Sequence, residues 1–365
     1  MSVRRVTVVC SSRIWAGTEK WSLRAAEQLH KSSYQVAFAT RSRSPYEPHL
    51  REQLSFLELP FGGQADLGTI IRLAAHLRNR DAVIVTTVRD YWLGGLAAKL
   101  AGVPLLLRLG IVRRLRDNYL MDRLRYSVLP KALVVNAQAI ADTLAETPWM
   151  RSMPVHVMSN GVDAPGPLST QKKADLRTEL GVPEENLLVL GVGRLTDVKR
   201  WNWLVKSAST LRKQSVQASV VIFGEGDQRE KLEALVRAEN LESIVQFPGY
   251  TPRTDRWLSA ADIFALPSRN EGLANAMLEA MGRGVPCVVT ASGGVHEHFR
   301  DGEELMVAAT EDESGFTDRL LKLAGDAGLR DRIGNSGLEM VRKSFSWDAM
   351  TKKLIGVLDS LEDQR

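Results

Sequence analysis

Short apolar runs rich in β-branched residues alternate with amphipathic helical stretches along the whole chain. The runs that predict strands lie at 6–10, 35–40, 82–86, 132–136, 187–192 and 218–223, and the stretches that predict helices lie at 19–30, 67–79 and 201–213. Strands and helices that alternate in this way build parallel sheets whose faces are covered by crossover helices. The chain is therefore predicted to have an α/β fold with doubly wound sheets.

The length of 365 residues favours two such domains, because a single hydrophobic core stops growing beyond about 250–300 residues. Turn-forming residues are dense at 160–167, and this segment is the predicted linker. We expect Rossmann-like domains over 1–165 and 166–344, followed by a C-terminal helix over 345–365. Because doubly wound sheets bind ligands at the carboxyl ends of their strands, a cleft between the two domains is the expected site.

The two cysteines, Cys10 and Cys287, each lie inside an apolar run that predicts a buried strand. Unpaired, buried thiols suit a reducing compartment. The first apolar stretch is shorter than a signal peptide requires, and no run approaches the ~20 residues that cross a bilayer. A cytoplasmic protein is expected, which could still lie against the inner face of a membrane.

The net charge of +5 is unevenly distributed, because Lys and Arg outnumber Asp and Glu up to Asp163 and the reverse holds beyond it. A basic tract over 108–131 interleaves arginines with leucines and tyrosines. Such a tract suits an anionic acceptor or an anionic membrane surface. The alternative is a solvated helix face whose arginine stems cover the core. No nucleic-acid partner is expected.

The segment from Ser268 to Gly282 holds two carboxylates at a predicted strand-to-helix transition. A helix that starts near residue 273 puts Glu271 in the loop and Glu279 in the helix, about 6–10 Å further along the axis. Two carboxylates so placed could bind two hydroxyl-bearing rings of one ligand. The open N–H groups at the helix start would receive a phosphate between those rings. These N–H groups belong to Gly272, Leu273 and Ala274.

A second loop, which follows the strand predicted at 187–192, carries an arginine and a lysine. Arg194 and Lys199 in a strand-to-helix loop could neutralise a departing diphosphate in an apolar site. Two solvated loop cations are the alternative.

These two loops, with the glycine-rich segments 282–286 and 293–297, resemble the donor-binding core of glycosyltransferase family 4, which comprises retaining enzymes of the GT-B fold. Glu271 and Glu279 match the family's Glu-x7-Glu motif. The resemblance implies that Glu279 holds the donor ribose, that Glu271 lies near the transferred sugar, and that the two loop cations contact the donor diphosphate. It also implies an acceptor-binding first domain, a donor-binding second domain and a C-terminal helix that packs back on the first.

Further segments match the same family. The turn at 224–226 resembles its Gly-x-Gly turn, 247–250 resembles the segment that borders the base, and 160–163 matches its interdomain turn. The turns at 224 and 249 could equally be ordinary strand ends. The residues assigned to donor binding are Gly17, Gly193, Gly224, Tyr250, Gly272, Leu273, Ala274 and Glu279. The residues assigned to catalysis are Arg194, Lys199 and Glu271.

The chain departs from the family pattern at two places in its first half. Ala16 stands where the family's first loop usually has a second glycine, so that only Gly17 carries over. Leu109 stands where many members have a histidine that faces the transferred sugar. Either Arg108 or Arg113 takes over this contact on the acceptor side, or the enzyme works without the histidine.

No metal site is expected. The six histidines lack zinc-site spacing, and the chain contains no Asp-x-Asp motif. Metal-independent catalysis that needs no cofactor is therefore the prediction. No Gly-x-Ser-x-Gly or Walker A motif occurs, which disfavours hydrolases and kinases.

The predicted activity is the transfer of a hexose-type sugar from a nucleoside-diphosphate sugar to a hydroxyl acceptor, with retention by resemblance. The acceptor is expected to be a glycan or lipid-linked glycan in the synthesis of a surface polysaccharide such as lipopolysaccharide. Two alternatives stay open. One is a non-catalytic GT-B protein that binds a nucleotide sugar, and the other is a nicotinamide-dependent oxidoreductase, whose glycine-rich turn and distant acidic residue neither half supplies together.

Overall fold

The computed structural model describes residues 4–13, 17–42, 54–63, 66–110, 115, 120–271 and 273–362. The chain divides into two compact units, one formed by Met1–Gly161 with Trp347–Arg365 and the other by Val162–Ser346. The sequence analysis placed the two changes of domain a few residues away, at 165 and 344. Both units consist of parallel strands and helices.

The first unit contains a seven-stranded parallel sheet in the order β3-β2-β1-β4-β5-β6-β7. Its strands are β1 (Arg5–Val9), β2 (Gln35–Arg41), β3 (Ser55–Leu59), β4 (Ala82–Val85), β5 (Leu105–Leu109), β6 (Ala132–Val135) and β7 (Val155–Val157). Its helices are α1 (Gly17–Lys31), α2 (Leu67–Leu77), α3 (Tyr91–Ala101), α4 (Leu120–Arg123), α5 (Gln138–Ala145) and the C-terminal α14 (Trp347–Glu362). A π-helical turn at Leu124–Val128 and a 3-10 turn at Pro148–Met150 complete it.

Apolar clusters cover both faces of this sheet, because alternate strand residues point to opposite sides. Val9 lies in one cluster with Leu73 of α2, and Val8 lies in the other with Leu29 of α1. Leu354 of α14 belongs to the second cluster. The C-terminal helix therefore packs on the first unit, as the sequence analysis predicted.

The second unit contains a six-stranded parallel sheet in the order β10-β9-β8-β11-β12-β13. Its strands are β8 (Leu187–Val192), β9 (Ala218–Phe223), β10 (Val245–Gly249), β11 (Ile263–Leu266), β12 (Cys287–Thr290) and β13 (Met306–Ala308). Its helices are α6 (Thr170–Glu179), α7 (Trp201–Lys213), α8 (Arg229–Ala238), α9 (Thr254–Leu258), α10 (Asn275–Met281), α11 (Val295–His298), α12 (Glu313–Gly325) and α13 (Ala327–Ser344). A 3-10 turn at Asp197–Lys199 precedes α7.

Both sheets follow the Rossmann strand order, which starts in the middle, runs outward to one edge and then returns to the other side. The reversal falls between β1 and β4 in the first sheet and between β8 and β11 in the second. This arrangement confirms the predicted pair of doubly wound Rossmann-like domains. At each reversal the loops diverge, which leaves room for a ligand at the carboxyl ends of the strands.

Several predicted helix boundaries differ from the observed ones by two residues, among them the start of α10. The helix expected from Leu273 begins at Asn275, because Ala274 still has an extended backbone with φ −66° and ψ 118°. Both cysteines are buried and unpaired, as their apolar surroundings predicted. Within the described residues, no helix is both long enough and apolar enough to cross a membrane.

Candidate functional site

The loop between β8 and α7 is held in place by the loop after β9. The N–H of Gly193 donates to the carbonyl of Phe223 at 3.0 Å, and the N–H of Leu195 donates to the carbonyl of Glu225 at 2.9 Å. A Cβ atom on Gly224 would lie 1.9 Å from the carbonyl oxygen of Gly193. Glycine at 224 therefore has a structural reason, the close approach of two backbones, whatever the loop binds.

Trp201, the first residue of α7, contacts the same loop through its side chain. Its buried indole donates from Nε1 to the carbonyl of Arg194 at 2.9 Å. A Cβ atom on Gly191 would lie 2.6 Å from its ring, so the strand passes directly over the indole. The backbone of Arg194 is thus fixed by a bond between the buried ring and the loop.

Arg200 ends this loop, and the sequence analysis did not single it out. It has a left-handed backbone with φ +51° and is 4% exposed. Its guanidinium bonds to the carbonyl of Thr310 and the carboxylate of Glu311, and it lies 4.5 Å above the ring of Trp203. Nothing in the sequence distinguishes a buried arginine from its solvated neighbours. Only the packing reveals that Arg200 is buried and paired.

The two predicted catalytic residues Lys199 and Glu271 form an ion pair between Nζ and Oε2. Their side chains are 16% and 28% exposed, so the pair is partly shielded from water. The hydroxyl of Ser268 lies 3.5 Å from the same carboxylate oxygen, as a donor. The loops after the neighbouring strands β8 and β11 also share a backbone bond, from the N–H of Arg269 to the carbonyl of Val198 at 2.8 Å.

Arg194, the third predicted catalytic residue, has an exposed side chain in the loop that also carries Lys199. No ion pair joins its guanidinium to a carboxylate in the part of the chain that the structure describes. The loop after β8 therefore offers one cation that is paired with Glu271 and one that faces solvent. Such a loop is suited to a polyanionic ligand.

The predicted phosphate-binding amides lie where β11 leads into α10. Leu273 and Ala274 directly precede the helix, and Ala274 is buried in the core of the second unit. Gly272 lies outside the described residues. Glu279 lies in α10 and is half-buried, and its carbonyl accepts from Nη1 of Arg283 at 2.8 Å.

Tyr250 follows β10 and is 71% exposed. Gly249 before it has φ +93°, a backbone conformation that favours glycine, and its carbonyl accepts from the N–H of Gly224 at 2.9 Å. The loops after β10, β9 and β8 are thus joined in a row by backbone hydrogen bonds. This row lies at the carboxyl edge of the second sheet, where the sequence analysis expected the nucleotide.

In the first unit, Arg108 and Leu109 face opposite sides of the end of β5. Leu109 lies in the apolar cluster of one face, so its side chain belongs to the core. Arg108 is 3% exposed, its Nη2 donates to Asn160 at 2.6 Å, and its guanidinium lies 4.3 Å from the ring of Trp21. Burial lowers the pKa of Arg108 to about 10, which leaves it charged at neutral pH, and its Nη1 is buried without a hydrogen-bond partner.

Two further residues of the first unit were predicted as site residues, Gly17 and Arg113, and the structure describes only Gly17. Gly17 begins α1, is exposed, and a Cβ atom there would meet nothing within 4 Å. The fold of the first unit therefore gives no internal reason for a glycine at this position. Arg113 lies outside the described residues.

No group of three or more His, Cys, Asp or Glu side chains that could hold a metal ion occurs in the described ranges. Metal independence stays a prediction.

The family comparison assigns the half of the chain that carries these loops. Residues 172–340 match the family model of the glycosyl transferases group 1. The second unit therefore carries a glycosyl transferases group 1 domain. The resemblance inferred from the two loops is thereby confirmed at this level, whereas the assignment to family 4 stays a prediction.

Proteins of similar sequence are named as glycosyltransferases. This chain is 27% identical over 238 residues to the lipopolysaccharide core biosynthesis glycosyltransferase LpsE of Rhizobium meliloti, a match that covers 65% of this chain and 67% of that protein. It is 28% identical over 333 residues to the D-inositol 3-phosphate glycosyltransferase of Actinosynnema mirum, with 84% and 79% covered.

Solved glycosyltransferase structures share its fold. Anabaena Alr3699/HepE in complex with UDP and glucose superposes with a TM-score of 0.81 at 17% identity, covering 98% of this chain and 100% of that one. The glycosyltransferase of Rickettsia africae ESF-5 superposes with a TM-score of 0.84 at 15% identity and 99% coverage of both chains. Together with the two sheets, this likeness confirms the predicted GT-B fold.

Proposed function

We propose that this chain is a group 1 glycosyltransferase that transfers a hexose-type sugar from a nucleoside-diphosphate sugar to a hydroxyl group of an acceptor. Transfer retains the configuration of the sugar and needs neither a metal ion nor a cofactor. The proposal assigns Arg194, Lys199 and Glu271 to the reaction and Glu279 to the donor ribose.

The observation that carries this proposal is the ion pair between Lys199 and Glu271. It joins the loops after β8 and β11, the two strands between which the order of the second sheet reverses. Ligands of doubly wound sheets bind at this reversal. A partly shielded lysine there favours an anionic ligand, and the carboxylate beside it favours hydroxyl groups.

The chemistry follows from these charges. The bond between the anomeric carbon and the diphosphate breaks, and the diphosphate leaves with the electron pair. Lys199 and Arg194 stabilise the negative charge that develops on it. The acceptor oxygen then bonds to the anomeric carbon, on the face of the sugar from which the diphosphate departs. The acceptor proton passes to the departing phosphate. Glu271 holds a sugar hydroxyl so that the reacting carbon stays in place.

The comparisons indicate which substrates to test first. Alr3699/HepE was crystallised with UDP and with UDP-glucose, which makes UDP-hexoses the first donors to try. LpsE is named for lipopolysaccharide core biosynthesis. We therefore propose a glycan or lipid-linked glycan as the acceptor, and action in the cytoplasm at the inner membrane face.

The test is a panel of UDP-, GDP- and ADP-sugars incubated with the purified chain, with release of the nucleoside diphosphate as the readout. We expect one base and sugar to be preferred, and Lys199→Ala to lower the rate about 10²-fold or more. Lys206→Ala serves as the matched control, because Lys206 also pairs with a glutamate of the second unit, Glu313.

Two outcomes would contradict the proposal. Binding of a nucleotide sugar without any release of diphosphate, with or without glycan acceptors, would favour the non-catalytic alternative. Equal rates for Lys199→Ala and Lys206→Ala would remove Lys199 from the reaction. Addition of EDTA tests metal independence, since an unchanged rate is expected.

A further inference from the structure

Three arginines gather at the carboxyl edge of the first sheet, outside every segment to which the sequence analysis assigned a role. Arg41 is the last residue of β2, Arg13 lies four residues after the end of β1, and Arg89 lies four residues after the end of β4. These three strands are neighbours in the order β2-β1-β4. The topology therefore brings the three side chains to one edge.

The strand register fixes their level more closely. Val9 pairs with Ala39 on one side and with Val85 on the other. Two residues beyond this level, the chain reaches Ser11 after β1, Arg41 at the end of β2 and Thr87 after β4. Arg41 thus lies level with the point where the loops after β1 and β4 begin.

A buried carboxylate clamps those two loops together. Asp90 accepts from the N–H of Ser11 at 2.7 Å, from the hydroxyl of Ser11, and from the hydroxyl of Thr87 at 2.5 Å. Arg13 and Arg89 lie two residues and one residue away from the clamp in sequence. Because the clamp joins the two loops, it holds the backbones that carry Arg13 and Arg89 near each other.

The cluster carries more positive charge than its surroundings compensate. Burial lowers the pKa of Arg41, and the positive charges of Arg89 and Arg13 lower it further. The carboxylate of Asp90 opposes this by raising it. No ion pair joins any of the three to a carboxylate among the described residues. Nη2 of Arg41 donates to the carbonyl of Phe61, yet its Nε is buried without a partner.

We propose that Arg13, Arg41 and Arg89 form a binding site for a phosphate group of the acceptor. Among the described residues, these three guanidinium groups face the one carboxylate of Asp90. Their net charge of about +2 matches a phosphate that carries about −1.5 to −2 at neutral pH. The forked donors of arginine suit phosphate oxygens. This site deepens the proposed function and rests on it, because it defines the chemistry of the acceptor.

The test measures binding of inorganic pyrophosphate by calorimetry at constant ionic strength. The protein carries Arg194→Ala and Lys199→Ala as a background, so that the cations of the second unit do not contribute. Adding R13Q and R89Q should weaken the affinity at least about ten-fold. The matched control adds R72Q and R78Q, which remove two exposed charges from α2 and its C-terminal end.

Vesicles that contain phosphatidic acid form a second arm, compared with vesicles of phosphatidylcholine alone. A loss confined to pyrophosphate identifies a water-soluble phosphoester, and a loss confined to the vesicles identifies a lipid phosphate. Either supports the site. Equal binding by the R13Q/R89Q protein and the R72Q/R78Q protein in both arms would overturn it.

Failure of this site is distinguishable from failure of the proposed function. Slow release of diphosphate from the donor in the absence of acceptor depends on the donor-binding residues and involves no phosphate of an acceptor. With Arg194 and Lys199 intact, R13Q/R89Q should leave this release unchanged and raise the KM for the acceptor. R41Q provides a second variant, and its folding is checked by circular dichroism because Arg41 also bonds to Phe61.

Discussion

At the scale of single residues, the ion pair between Lys199 and Glu271 has two consequences for the donor. The carboxylate neutralises the lysine when no ligand is bound. A diphosphate must therefore compete with Glu271 for the same ammonium group. If Glu271 holds the sugar as proposed, the same residue also weakens binding of the bare nucleotide.

Glu271→Gln tests this competition. We expect the affinity for the nucleoside diphosphate to rise by up to about five-fold, because the competing charge is gone and partly exposed pairs are worth up to about 1 kcal/mol. The turnover rate should fall, since the sugar hydroxyl loses the carboxylate that accepts its hydrogen bond. Calorimetry with UDP, GDP and ADP provides the measurement. Glu313→Gln, which removes the partner of Lys206, should change neither quantity.

Glycine at 224 offers a test of local packing. Gly224→Ala should destabilise the second unit by about 1–3 kcal/mol or more, because the new Cβ atom would lie 1.9 Å from the carbonyl oxygen of Gly193. Diphosphate release should fall as well, since the loop that carries Arg194 must move. Gly325→Ala is the control, because a Cβ atom there meets nothing within 4 Å. Equal melting temperatures for the two variants would contradict this account.

At the scale of elements, sequence periodicity predicted most strands and helices closely. The bounds predicted for α7 and β9 coincide with those observed. The start of α10 was predicted two residues early, because helix propensity at 273 and 274 does not reveal that the backbone of Ala274 stays extended. Element type follows from local pattern, whereas an end is decided by what it contacts.

Two substitutions in the C-terminal helix α14 are expected to change the stability of the first unit in opposite directions. Leu354→Ala should destabilise the first unit by about 2–5 kcal/mol, because the side chain is fully buried in its core. Gly356→Ala should stabilise it by about 0.5–1 kcal/mol, because this glycine is exposed within the helix and a Cβ atom has open space. Chemical denaturation followed by circular dichroism measures both. A loss of stability in Gly356→Ala would indicate that α14 is packed differently.

At the scale of the whole molecule, the two units are expected to respond differently to acid. Burial lowers the pKa of His76 and of His156, both in the first unit, below the ordinary histidine value of 6.5. Such groups stabilise the fold above about pH 6.5, and the stabilisation is lost as the pH falls through the folded-state pKa. The first unit should therefore become less stable between about pH 7 and pH 5.

Scanning calorimetry over this range measures the effect. His76→Gln with His156→Gln should flatten the dependence on pH, because this removes the two described histidines whose pKa is lowered by burial. His76 also lies 3.2 Å from the hydroxyl of Thr7, so each single variant is compared at pH 8 to measure its direct cost. An unchanged slope in the double variant would assign the acid sensitivity to other groups.

The sequence by itself determined the class of fold, because hydrophobic periodicity and turn residues act over a few neighbouring positions. The resemblance to a glycosyltransferase family came from its loop motifs. It also predicted Arg194, Lys199 and Glu271 as site residues, although their roles stay predictions. Only the tertiary structure decided which of them meet. Lys199 and Glu271 are far apart in the chain, and they pair because β8 and β11 are neighbours in the sheet.

The same reason explains what the sequence did not reveal. A buried arginine such as Arg200 and the cluster of Arg13, Arg41 and Arg89 have no local signature, since a basic residue in a loop is usually solvated. Strand order and register bring these distant charges together, and burial then decides which of their hydrogen bonds are satisfied. Contacts between residues remote in sequence are a property of the packed chain, and no local pattern encodes them.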